Sequence, residues 1–298
     1  MKEKLLYYFY LFLFGGIACL PLRALYVVAD GLARLFIHVL HYRRKVVRGN
    51  IQRVFPAWSV QQQQQLERDY YRYLADLFVE ILKLLHISDW ELDRRVEAHG
   101  TELVDEYIRE GHPVFILMGH YGNWEWAQQM YTHLLQPTTK HQIFRPLRDK
   151  AFGRLFDRMR SRFDSQCIPQ KAAVRSMLRL RKEEGAFICT FIADQHPNSE
   201  LMENWTTFLG QDSAYVTGPE EIGRRLDARY VYLDIERPAR GFYRMTCRPV
   251  KPVEGEAFPY MTGYLRQMEA SILRQPELWL WSHRRWYLSH EEYLKKKS

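Results

Sequence analysis

Residues 114–126 read VFILMGHYGNWEW. The opening apolar run is short and uninterrupted, so HPVFILM (112–118) reads as a buried strand rather than one with a wet face. Gly119 to Gly122 then forms the loop at its carboxyl end, and Asn123 suits the N-cap of a helix over 123–135. Open α/β sheets bind their ligands at the carboxyl ends of strands. A turn there needs only the glycine and the asparagine. His120 and Glu125 are the residues that raise the question of chemistry.

Outward from this stretch the pattern alternates between strands and helices. HQIFRP (141–146) reads as strand then turn, AFGRLFDRMRSRF (151–163) and AAVRSMLRLRKEE (172–184) as helices, and GAFICTFIAD (185–194) as a second clear strand. A helix over 219–227, strands over 228–237 and 241–250, and a helical tail over 258–275 follow. Such alternation predicts an α/β fold, a mixed sheet covered by helices. No Gly/Ser-rich linker interrupts residues 96–298, which read as one catalytic domain. Before it, residues 41–95 form a basic, helical connecting region. Its helix starts in the run Gln61–Gln65, with Leu66, Tyr70, Tyr73, Leu74, Leu77, Phe78, Ile81, Leu84 and Leu85 at helical spacing.

Residues 1–40 predict a membrane-anchoring helix. LLYYFYLFLFGGIACL (5–20) carries no charge, and LYVVADGLARLFIHVL (25–40) continues apolar except for Asp30 and Arg34. The uncharged part falls short of the ~20 residues that a spanning helix needs. A cleavable signal is the other reading, with Lys2 and Lys4 as its basic flank. The continuing apolar segment and the basic stretch HYRRKVVRGN (41–50) favour a retained anchor beside anionic headgroups. The net charge of +8 suits acidic partners in general: nucleic acid, anionic lipid or an acidic carrier protein. Basic residues scattered among apolar helices, without RNP-like strands or a zinc module, argue against nucleic acid. Cys19, Cys167, Cys189 and Cys247 show no CxxC spacing and read as reduced, mostly buried thiols. Neither a metal site nor a cofactor motif is expected.

His120 and Glu125 stand five apart, a spacing that lets the carboxylate fold back onto an imidazole nitrogen. A His so held can act as a general base on a hydroxyl. No Ser or Cys elbow accompanies it, and HExxH is absent. From spacing alone the plainer account is the better one: a His satisfying a backbone group and a Glu decorating a helix N-terminus.

The wider set of motifs changes that balance. GHYGNWE (119–125) resembles the H-x4-D/E signature of the glycerolipid acyltransferase superfamily, and most of the chain resembles its bacterial lipid A biosynthesis branch. RGNIQRVFP (48–56), QIFRPLRDKAFGRLFDRMRSRF (142–163), FIADQHPN (191–198), WTTFLGQDSAYVTGP (205–219) and QPELWLWSHRRW (275–286) follow in the family's order. The resemblance implies that His120 deprotonates an acceptor hydroxyl, oriented by Glu125, and that the hydroxyl attacks an acyl thioester directly. Backbone N–H groups near Gly122 or Asn123, or the Arg145 guanidinium, are candidate donors to the oxyanion. Arg145 is also a candidate clamp for a phosphate or glycan. Asp194 and Gln195, leaving a strand at its carboxyl end, are candidates to line the same cleft, and Asp194 as a turn cap is an equal reading. The implied donor is acyl carrier protein, or else coenzyme A, and the implied acceptor a lipid A precursor, at the inner membrane with the catalytic domain on its cytoplasmic face. Superfamily members acylate other lipids, so a lysophospholipid or aminolipid acceptor is the alternative.

Overall fold

In this computed structural model, residues 2–297 are described apart from Ser199 and Leu201. The strands are β1 (Val96–His99), β2 (Val114–Met118), β3 (Lys140–Phe144), β4 (Ser165–Pro169), β5 (Ile188–Ile192), β6 (Trp205–Phe208), β7 (Gln211–Ala214), β8 (Arg229–Ala239) and β9 (Phe242–Pro249). Seven of them form one sheet in the order β1-β9-β8-β2-β5-β3-β4, and β6 pairs with β7 as a separate hairpin. Strands β8, β2, β5, β3 and β4 run parallel. β9 turns back antiparallel to β8, and β1 lies parallel to β9, which makes the sheet mixed. β2 sits at its centre, and all five residues of VFILM are buried. A parallel strand covered on both faces has no solvent side, which is why its sequence runs apolar without alternation.

The helices are α1 (Lys2–Ala18), α2 (Leu22–Arg34), α3 (Arg44–Val54), α4 (Val60–Lys83), α5 (Asp89–Asp93), α6 (Thr101–Arg109), α7 (Lys150–Ser161), α8 (Ala173–Glu184), α9 (Gly218–Leu226), α10 (Pro259–Arg274) and α11 (His290–Lys297). The expected helix after Asn123 is a 3-10 helix over Trp126–His133. The short edge strands β1 and β4, the β6–β7 hairpin and the helices α5, α6 and α11 are elements that the sequence reading leaves out.

The apolar N-terminal stretch divides into two helices rather than one anchor. Pro21, which has no N–H to give a continuing helix, starts α2, and α1 and the α2 segment to Val39 meet at 109°. Among the described residues no single helix is long and apolar enough to cross a membrane. Lys83 closes the corner: its ammonium donates to the carbonyls of Ala18 (3.0 Å) and Leu20 (2.9 Å), satisfying the free end of α1.

α4 opens with a capping box, Ser59 Oγ accepting from the Gln62 amide while Gln62 Oε1 accepts from the Ser59 amide. Its buried face carries Leu66, Tyr70, Tyr73, Leu77 and Leu84, but Phe78 is 42% exposed. That face also buries charge. Glu67 holds Arg44 and Arg48 of α3, both at 2.7 Å, and Asp76 binds Arg237 and Arg240.

Glu80, fully buried, accepts from Tyr26 (2.9 Å) at one oxygen and from Asn123 (2.9 Å) and Tyr243 (2.6 Å) at the other. Burial raises its carboxyl above the ordinary range, opposed by the Arg237 charge and the Tyr243 hydroxyl. One carboxylate thus ties α2, the loop after β2 and β9 to α4. Removing one partner of a buried network leaves the others uncompensated, at about 3–5 kcal/mol. Glu80→Ala is expected to lower the unfolding free energy by that amount in urea denaturation, and a loss under 1 kcal/mol would rule out Glu80 as the tie.

Candidate active site

The loop after β2 is held from three sides. Gly122 has φ +59°, and a Cβ there would strike Ile235 of β8, so only glycine fits. Its N–H donates to the Leu278 carbonyl (3.0 Å), and its carbonyl accepts from Tyr73 Oη (2.7 Å). The Leu280 N–H donates to the His120 carbonyl (3.0 Å), and Tyr121 bridges to Trp279. The segment 278–281 therefore runs along the loop like a short antiparallel strand. That segment is itself pinned by Asn50, whose amide donates to the carbonyls of Trp281 and His283, both at 2.8 Å. Three sequence blocks, at residues 48–56, 119–125 and 275–286, meet here.

His120 is partly exposed and stands edge-on to Trp124 at 5.2 Å. Its Nδ1 lies 2.8 Å from Asp194 Oδ1 at the end of β5. Trp279 Nε1 donates to the other Asp194 oxygen at 2.9 Å. Burial alone would raise the Asp194 carboxyl, but the charge and hydrogen bond of His120 and the Trp279 N–H outweigh it and hold the group at about 2. An ionised carboxylate only accepts, so Nδ1 is the nitrogen that donates, and in the neutral ring the lone pair is on Nε2. A buried acid fixing one imidazole nitrogen, beside a strand end, is the arrangement of a general base.

A sequence model of the family described as "Bacterial lipid A biosynthesis acyltransferase" matches residues 1–287. The chain belongs to that family. The acyltransferase is also similar to the "Lipid A biosynthesis acyltransferase" of Haemophilus influenzae, 21% identical over 248 residues, which cover 82% of this chain and 76% of the relative.

The acyltransferase joins His120 to Asp194, and not to Glu125 as the resemblance implies. Glu125 is turned away by the 3-10 geometry that begins there, and it forms a two-pronged pair with Arg160 of α7, at 2.5 and 2.9 Å. Both partners are largely buried. The Gln195 amide approaches the same His120 nitrogen at 3.1 Å. Asn123, fully buried, spends its side chain on Glu80 and on capping the Trp126 N–H (3.0 Å). The Gly122 N–H is already given to Leu278, so it is not free for an oxyanion. Arg145 lies exposed beyond β3 and is not drawn into the cluster. Arg160 and Trp279 carry no spacing signal that links them to the loop; only the family blocks containing them do.

Asp194 supplies stability that is fully present above the unfolded aspartate value near 3.9 and is lost as pH falls through about 2. Asp194→Asn is therefore expected to be less stable by about 2 kcal/mol at pH 7, with the deficit shrinking below pH 4. Urea titrations at several pH values test this, and a pH-independent deficit would show that the carboxylate charge is not what matters.

Proposed function

We propose that this acyltransferase moves a fatty acyl chain from acyl carrier protein to a hydroxyl of a lipid A precursor, with His120 as general base and Asp194 as the carboxylate that orients it. The bond from Asp194 to His120 Nδ1 is the observation that carries this reading. Nε2 takes the acceptor O–H proton as that oxygen attacks the thioester carbonyl. The tetrahedral intermediate then collapses, the C–S bond breaks, and the departing sulfur receives the proton from the imidazolium. No acyl-enzyme is needed. Glu125 and Arg160 act as a neutral buried pair that shapes the wall beside the imidazole. Arg145, exposed and without a partner among the described residues, is free to meet an anionic headgroup.

A small cavity of about 30 Å³ opens behind Trp124 and Glu125, walled by Ile116, Met118, Ile143, Ile192 and Leu233. We take it as the start of the acyl channel, which has to widen as a chain enters. Each methylene it buries is worth about 0.8 kcal/mol, which is how such a channel measures length. The bent pair α1–α2 exposes Leu5, Tyr8, Phe9, Phe12, Val27 and Val28. This apolar surface supports an interfacial anchor that leaves the catalytic part, residues 96–298, on the cytoplasmic face of the inner membrane.

The test offers acyl carrier protein loaded with chains of several lengths to the purified enzyme in micelles. A tetra-acylated lipid A precursor and a lysophospholipid serve as separate acceptors, and thiol release is followed. Transfer to the precursor is expected, falling 10²–10⁴-fold in His120→Ala and Asp194→Asn, the range of a lost general base or its tautomer. Transfer to the lysophospholipid alone would keep the mechanism and change the acceptor. Full activity in Asp194→Asn beside a dead Glu125→Gln would return the orienting role to Glu125.

Anchoring is checked separately. Phe9→Glu combined with Phe12→Glu is expected to release the protein from vesicles in a flotation assay, while high salt alone does not. Release of the unaltered protein by salt would make the attachment electrostatic instead.

A further inference from the structure

Arg285 lies in the WSHRRW block, and it is 2% exposed. None of its three guanidinium nitrogens has a hydrogen-bond partner. The buried carboxylates around the site are paired: Asp194 with His120 and Trp279, Glu125 with Arg160, Glu80 with its three donors. A buried cation without a hydrogen bond is among the most destabilising groups a core can hold, so a fold selected only for stability has no use for it.

Its position suggests the use. The guanidinium stacks over Phe208 at the end of β6 (5.4 Å), Phe208 stands edge-on to Trp279 (5.9 Å), and Trp279 donates to Asp194. Arg285 thus forms the layer behind the His120–Asp194 pair. The titratable groups that face it are Asp194 from β5, His196 from the loop after β5, Tyr264 from α10, and His283 of its own segment. His196 and His283 pack ring to ring at 4.8 Å, and burial pushes both imidazoles down, His283 to about 4. They are therefore neutral near pH 7. Burial also lowers Arg285, to about 10 against the pull of Asp194, which leaves it charged. Among these groups Asp194 is the anion and Arg285 the cation.

We propose that Arg285 is a positioning residue, a buried counter-charge behind the Asp194 carboxylate that limits how strongly that acid favours the imidazolium form of His120. Resting on the general-base reading above, it adds a residue whose effect is exerted through the field and not through contact with substrate. The arginine destabilises the fold and tunes the base. Its removal leaves Asp194 with its His120 and Trp279 partners but with His120 as its remaining counter-ion, which favours the imidazolium form of His120. The base is then lost at a higher pH than in the unaltered enzyme.

The experiment uses the full chain in micelles. The His120 ring is titrated by ¹⁵N correlation spectra, assigned with His120→Gln, and kcat/KM for transfer is measured against pH. Arg285→Met keeps the length and the contact with Phe208. It is expected to raise the His120 midpoint by about one pH unit, as removal of a nearby like charge does. The acid limb of kcat/KM shifts by the same amount, and the thermal midpoint is not lowered. Arg285→Lys keeps the charge and is expected to hold both midpoints within a few tenths of a unit. An unmoved His120 midpoint in Arg285→Met overturns the proposal. So does a variant that fails to fold, because a purely structural arginine predicts that and a destabilising counter-charge does not. The ring titration needs no turnover, so it separates failure of this inference from failure of the acyl-transfer reading.

Discussion

The site depends first on a carboxylate that does no chemistry. Glu80 has four charged or polar neighbours in a place where water does not reach, and each comes from a different part of the chain. Its worth lies in that convergence. Asn123 can cap the 3-10 helix with its oxygen only because its amide nitrogen is occupied by Glu80. With Asn123 free to rotate, the cap and the loop conformation at Gly122 would loosen together. Tyr26 brings the same constraint to α2, so the apolar N-terminal surface and the loop carrying His120 are fixed by one group. Arg237 keeps this anion compensated, and Asp76 in turn keeps Arg237 compensated. The network is a chain of alternating charges, each tolerable only through the next.

Around that centre the sequence blocks turn out to be structural partners of one another. Asn50 holds the carbonyls of Trp281 and His283, Arg43 that of Ser282, and Arg53 that of Trp286. The basic segment before α4 thereby serves the C-terminal segment, more than two hundred residues away. The C-terminal segment then serves the loop, through Leu278, Trp279 and Leu280. The basic residues of this region act as backbone clamps, which tempers what the net charge alone suggests.

This also explains what could be read in the sequence. β2 was legible because a fully covered parallel strand has to be apolar throughout, and the carboxyl end of such a strand is where reactive groups collect. His120 and Asn123 followed from that single element. The partner of His120 did not, because a five-residue separation fixes a distance along the chain and not a direction. The 3-10 turn aims Glu125 at α7, and Asp194 reaches the imidazole from a strand that neighbours β2 only in the folded sheet. The buried acids of α4 were hidden for a related reason. A helical stripe of Leu and Tyr predicts which face is inward, yet it cannot say that Asp76 and Glu80 share that face with arginines from β8 and its turn. Phe78 erred in the opposite sense, fitting the period and pointing outward. Arg145 drew notice through its motif, while Arg160, fifteen residues on, makes the buried contact.

Two buried carboxylates belong to the blocks around His120, and only Asp194 reaches the imidazole. Glu125 meets a guanidinium through two parallel bonds, the geometry that satisfies both most completely. Little of its charge remains to act on a third group. Asp194 is bound by an imidazole and an indole, a weaker pair of donors that leaves its charge effective. An imidazolium formed by protonating Nε2 would be stabilised by such a carboxylate without its moving. If the two acids exchanged partners, the imidazole would face a neutralised carboxylate, and its affinity for the acceptor's proton would fall. In this fold, the carboxylate left without an arginine contact is the one held against the imidazole.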